Sequence, residues 1–189
     1  MLLRNRSPGI EPFPAQITKG FEHLGPSWIN VLGWLQINRI EHVLVGAAAR
    51  AIRGEAGVSG PISIVPAPYG RNLDRLARAL FSAQARLRVE GAGQSGRADP
   101  QPVKLTAEKL VAGQRWTLRC GVYDLDVEGR PAGAPRYQEL LYEASRFEPA
   151  LELKVEVASP EDIEHYDHMR RTGIAPEITI TRKAQVEHS

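Results

Sequence analysis

Residues 42–65 read HVLVGAAARAIRGEAGVSGPISIV, and the order of their parts decides the fold. An apolar run at 42–45 is followed by Gly46, then by a small-residue segment at 47–53 that Gly54 stops. A polar, glycine-containing turn leads to a second apolar run at 62–65. Runs of four rich in Val, Leu and Ile suit buried strands. An alanine-rich segment suits a short helix packed close to them, and glycine is a natural helix stop. The spacing predicts strand, glycine turn, helix, strand.

Outward from there the pattern continues. Upstream, Trp28, Val31, Leu32 and Leu35 recur at helical spacing, with Ser27 as the expected cap. Trp28 and Trp34 read as core rather than as ligand stackers. Downstream, Asn72 is expected to cap or begin a helix over 72–81 with the stripe Leu73, Leu76, Ala77, Leu80 and Phe81. Arg71, Arg75 and Arg78 lie off that stripe and read as a solvated face rather than a phosphate-binding patch. Residues 90–102 are a glycine-rich polar loop, and 105–110 predict a short helix. The segments 115–120 and 121–127 predict two strands paired through Cys120-Gly121, or one bent strand. A helix at 137–144, a strand at 151–157 and a helix from Pro160 to about Arg171, capped by Ser159 and ended by Gly173, complete the series. The expected fold class is α/β (α+β), a small mixed β-sheet flanked by helices. The expected layout is an irregular N-terminal arm at 1–16, one domain at 17–176 and a tail at 177–189.

Composition narrows the function classes. The 189 residues carry a formal charge of +2, which does not indicate nucleic acid. No run approaches the 18 apolar residues of a membrane span. The first residues lack the apolar core of a signal peptide, and a single cysteine, Cys120, excludes an internal disulfide. These features lead us to expect a cytoplasmic protein with no membrane partner.

The glycine turn at Gly46-Ala47, the helix and the strand at 62–65 together resemble the small bacterial nucleotidyltransferase-like proteins of the DNA polymerase beta type. The NLDRLARAL helix from Asn72, the YQELL helix from Tyr137 and the VEVASPEDI run from Val155 extend the resemblance over residues 40–176. It implies a nucleotidyltransferase-type sheet, and a strand bearing two aspartates spaced D-x-D. Those two positions hold Pro61 and Ser63 here. Side chains two apart on a strand share a face, which is why paired aspartates can clamp magnesium. Proline offers no ligand, and serine is a neutral one. The third carboxylate of the family corresponds best to Asp124, and Asp126 shares its face by alternation. Asp124 and Asp126 are therefore the candidate catalytic and metal-ligating pair, with a solvated acidic face as the plainer reading. Gly46, Ala47, Arg50 and Ser63 are the candidate nucleotide-binding residues, because a glycine turn lets backbone amides approach phosphates.

The resemblance leaves three functions open. One is a catalytically degenerate, nucleotide-binding, regulatory or interaction module that needs no cofactor. Another is an active nucleotidyltransferase that uses Mg2+ at a relocated Asp124/Asp126 site. The last is a toxin–antitoxin-like interaction component. The partner would be a nucleotide or a protein. Two lesser candidates are set beside these. His165 and His168, three apart with Asp167 or Glu164, read as a wet helix face rather than a zinc site. Cys120 reads as a structural thiol.

Overall fold

The computed structural model describes residues 9–88, 98–130 and 133–172. It is a mixed α+β structure in which six helices flank one seven-stranded mixed sheet. The first half of the chain supplies α1 (Pro26–Ile37), β1 (His42–Val45), α2 (Gly46–Ile52), β2 (Ile62–Pro66), α3 (Gly70–Ser82) and β3 (Arg86–Leu87). The second half supplies α4 (Ala107–Val111), β4 (Trp116–Cys120), β5 (Tyr123–Val127), α5 (Tyr137–Glu143), β6 (Ser145–Ala150), β7 (Leu153–Val157) and α6 (Pro160–Thr172). The strands lie in the order β3-β4-β5-β2-β1-β7-β6.

β1 and β2 form the centre because they are apolar on both faces. Val43, Leu44, Val45, Ile62, Ile64 and Val65 are all at most 1% exposed. Each such side chain contributes about 1.5–3 kcal/mol by leaving water. The two strands pair antiparallel, Val45 opposite Ser63 and His42 opposite Pro66. β7 joins β1 and β5 joins β2 in parallel. The hairpin β4–β5 turns at Gly121-Val122, as the alternation implied.

Alternation along β5 separates the helices onto two faces. Tyr123 accepts a hydrogen bond from Asn30 of α1 at 2.9 Å. Glu128, an odd number of residues further on, pairs with Arg170 of α6. α1 and α6 therefore lie on opposite faces of the sheet.

Several expectations need correction. α1 begins one residue before Ser27, with Gly25 at the cap position and Pro26 in the first turn. Asn72 caps nothing: it lies inside α3 and is 1% exposed. Its amide accepts from Glu41 N and donates to Glu41 O and Ala67 O, at 2.8, 2.8 and 3.0 Å. It thus satisfies the backbone where β1 starts and β2 ends. β6, which pairs antiparallel with β7, and the two-residue β3 were not foreseen. The described part of the arm is irregular but packed. Ile10 is buried, and a Cβ on Gly33 of α1 would lie 2.3 Å from the Phe13 ring, so the glycine is what lets Phe13 seat there. Arg75 is half-buried and donates to Arg39 O at 3.3 Å instead of standing in solvent. Ser159 accepts from Asp162 N at 3.2 Å and opens α6 as expected. The helix stop at Gly173, the tail and most of the loop at 90–102 lie outside the described residues.

Candidate functional site

The candidate site stands where β1 ends and β2 begins. Gly46 opens α2 with φ +75°, a conformation that side chains resist. The Cβ it lacks would lie 3.0 Å from Ser63 Oγ and 3.2 Å from Arg170 Nη1. Glycine here brings the backbone against both side chains at once. Ala47, Ser63 and the end of β1 are buried, and Ser63 Oγ has no hydrogen-bond partner among the described residues. Pro61 precedes β2, one residue before Ile62 registers with Leu125.

The register of β2 and β5 sets Ser63 directly beside Asp126. Asp126 is 1% exposed, and each of its oxygens faces a guanidinium. Arg88 approaches Oδ1 at 2.7 Å and Arg115 donates to Oδ2 at 2.9 Å. This is not the solvated acidic strand face that the sequence suggested: a carboxylate this buried needs charge partners. Asp124 lies two residues back on the same face, but belongs to a separate pair. Arg119 Nε donates to its Oδ1 at 2.8 Å, and the two side chains are 27% and 36% exposed.

The same face continues into α6. Arg115 Nε also lies 3.4 Å from Glu128, whose other oxygen is 3.0 Å from Arg170 Nη2. Arg170 Nη1 stands 3.4 Å from Asp167. Asp167 in turn receives a hydrogen bond from Arg50 of α2, which also pairs with the exposed Glu55 at 3.2 Å. Arg50 therefore sits within an ion-pair chain. Burial pushes the Glu128 carboxyl above its ordinary range, and Asp126 adds to the rise, while Arg170 and Arg115 pull it down. The cluster thus sets the guanidiniums of Arg50, Arg88, Arg115 and Arg170 among the carboxylates of Glu55, Asp126, Glu128 and Asp167, so that its formal charges balance. Beside it opens a cavity of about 260 Å3 lined by Arg115, Glu128, Tyr166, Met169 and Arg170.

A magnesium site fits these residues poorly. Mg2+ needs several oxygen ligands in octahedral array. The one fully buried carboxylate level with Ser63 is already paired with two guanidiniums, which would repel a cation brought to it. Among the described residues, no group of three His, Cys, Asp or Glu side chains could hold a metal. The wet helix face expected around His165 is also corrected. His165 and Asp167 are buried in α6, because that side of the helix packs against the sheet and α2. Cys120 is fully buried, and burial pushes its thiol up to about 12, as befits a structural residue.

Sequence reasoning did not find Arg88, Arg115, Glu128 or Arg170, and it met Asp167 only as a possible zinc partner of His165 and His168. Glu128 was within reach, because it continues the alternation of Asp124 and Asp126. Asp167 and Arg170 are three apart on a helix, which also signals one face. Arg88 carries no local signal. A scan against protein-family models finds no match for this chain, and a search of curated proteins finds none either.

Proposed function

We propose that the chain is a catalytically degenerate, nucleotidyltransferase-like module. It binds the phosphate-bearing part of a nucleotide and performs no metal-dependent transfer. The observation that carries this reading is the Ser63–Asp126 pair: a neutral residue on one strand and, on the next, a carboxylate neutralised by Arg88 and Arg115. Nucleotidyl transfer depends on electrostatic stabilisation of charge at the phosphates, most of it supplied by metals. Carboxylates committed to arginines do not assemble those metals. Phosphate recognition, in contrast, needs guanidiniums, and planar bidentate geometry makes arginine well suited to it.

The cavity beside Arg115 and Arg170 supports the binding half of the proposal. It is at the small end of ligand pockets and combines two guanidiniums with the apolar surfaces of Tyr166 and Met169. The rival is the relocated enzyme using Asp124 and Asp126, which share a face. Its difficulty is that each aspartate already has its own arginine.

The test is calorimetric titration with each nucleoside triphosphate, once with magnesium and once with a chelator. The proposal expects binding of similar strength in both, weakened about tenfold or more by Arg170→Ala, the scale of a lost charged hydrogen bond. No binding, or binding that requires magnesium, would overturn it.

A further inference from the structure

The cavity beside α6 holds a carboxylate next to its two guanidiniums. Glu128 lines it together with Arg115 and Arg170, while Tyr166 and Met169 of α6 add apolar surface. The remaining wall is Gly113 and Gly129. A Cβ on Gly129 would lie 2.5 Å from Gly113 O, so that wall carries no side chain and the space stays open. Among the described residues on this lining, Glu128 is the one carboxylate. It is fixed there. Its backbone N donates to Ile64 O at 2.9 Å, and its oxygens lie 3.0 Å from Arg170 Nη2 and 3.4 Å from Arg115 Nε.

Charge decides which anion suits this cavity. The side chains of Arg115 and Arg170 are 33% and 21% exposed, so an anion has access to both. Each is already shared, however: Arg115 with Asp126 and Glu128, Arg170 with Asp167 and Glu128. Arg130, on the far side of Glu128, donates to Val111 O at 2.7 Å and adds no cation to the cavity. Because the formal charges of the whole cluster balance, an entering anion meets two guanidiniums without net positive charge behind them. The cost of drying an ion rises with the square of its charge, whereas attraction rises only in proportion. A balanced cluster therefore favours the least charged phosphate. Glu128 needs no contact with the ligand to exert this effect, since like charges in a poorly solvated cavity repel across several ångströms.

We propose that this cavity selects a phosphate bearing a single charge, the phosphodiester of a cyclic mononucleotide, and that Glu128 sets the selection by holding off phosphomonoester dianions. The proposal rests on the nucleotide-binding reading above and narrows its ligand. The internucleotide link of a short RNA carries the same single charge. The volume of about 260 Å3 suits a compact ring rather than a strand.

The test is calorimetry with 3′,5′-cyclic AMP, AMP and the dinucleotide ApA. A pH of 8 keeps AMP a dianion and, because burial raises the Glu128 carboxyl, favours its ionised form. The wild type should bind cyclic AMP about tenfold or more tightly than either AMP or ApA. Glu128→Gln removes the charge and keeps the shape. Arg115 still has Asp126 and Arg170 still has Asp167, so the cluster remains held. The lost repulsion acts on every ligand charge, so a gain of about tenfold for cyclic AMP implies about a hundredfold for AMP, and the preference shrinks. Glu128→Asp keeps the charge and should keep the wild-type order. AMP or ApA binding as tightly as cyclic AMP in the wild type, or an unchanged ratio of cyclic AMP to AMP affinity in Glu128→Gln, would overturn the proposal. So would absence of binding by all three. If nucleoside triphosphates still bind, this proposal alone fails; if they do not, the nucleotide-binding reading falls with it.

Discussion

Ser63 and Asp126 stand side by side in register on β2 and β5, the one neutral with an unbonded hydroxyl, the other held by two arginines. The pairing turns what could have been a metal-binding face into a structural ion cluster. Removing Asp126 should therefore cost stability. Asp126→Asn leaves Arg88 without its carboxylate and Arg115 with Glu128 alone, and the expected loss in urea unfolding is about 3 kcal/mol. Asp124→Asn, at the half-exposed Arg119 pair, should lose under about 1 kcal/mol. Equal losses in the two variants would contradict this assignment.

Gly46 is predicted to be irreplaceable while Ser63 is present. Alanine there adopts a left-handed φ and brings its Cβ to 3.0 Å from Ser63 Oγ. The backbone term alone is about 1–2 kcal/mol. Combining Gly46→Ala with Ser63→Gly should recover the steric part and leave the backbone part. A double-mutant cycle reads the coupling, and strict additivity would show that the two residues do not press on each other.

Asn72 carries an expected loss larger than its size suggests. Asn72→Ala strips the partners of Glu41 N and Ala67 O together, while Glu41 O keeps its bond from Ala67 N at 3.0 Å. Unpaired buried polar groups cost about 1–3 kcal/mol each, so a total of about 2 kcal/mol is expected even if water re-enters at Glu41. Hydrogen exchange at the start of β1 should accelerate in the same variant, and unchanged exchange there would count against the cross-link.

His42 gives stability a pH dependence of known sign. Burial pushes its imidazole below 6.5, while the Ile40 carbonyl and Glu156 act the other way. The unfolded chain takes up the proton first. Native stability therefore falls as pH drops through about 6.5, by up to about 1.4 kcal/mol per pH unit, until the folded imidazole also titrates. Glu128 works in the opposite direction, because its raised carboxyl takes a proton in the folded state before the unfolded one. Comparing thermal midpoints of the wild type and His42→Gln between pH 7.5 and pH 5 cancels the Glu128 contribution. The wild type should lose more on acidification, and parallel curves would refute the assignment to His42.

The central architecture was legible because its signals are local. β1 and β2 are short apolar runs bounded by glycine and proline, and both match their expected ranges to within a residue. β6 was not legible: its sequence SRFEPA is exposed at three of its first four positions and contains a proline, as suits an edge strand. Asn72 looked like a cap because its residue type favours caps. Only the tertiary fold reveals backbone groups thirty-one residues away that need it. The candidate site divides in the same way. Alternation showed that Asp124 and Asp126 share a face, but the arginines that neutralise Asp126 come from residues 88 and 115, joined by strand pairing rather than spacing.

The most direct test of the central claim is nucleotide transfer itself. The purified protein is incubated with each labelled nucleoside triphosphate, magnesium or manganese, and a cell extract as the source of acceptors. The account predicts no label on protein, RNA or small molecules. Each tenfold loss of rate is about 1.4 kcal/mol of barrier, and losing the metals removes several such steps. Incorporation by the wild type that disappears in Asp124→Ala and in Asp126→Ala would contradict the account and establish an enzyme with a relocated carboxylate site.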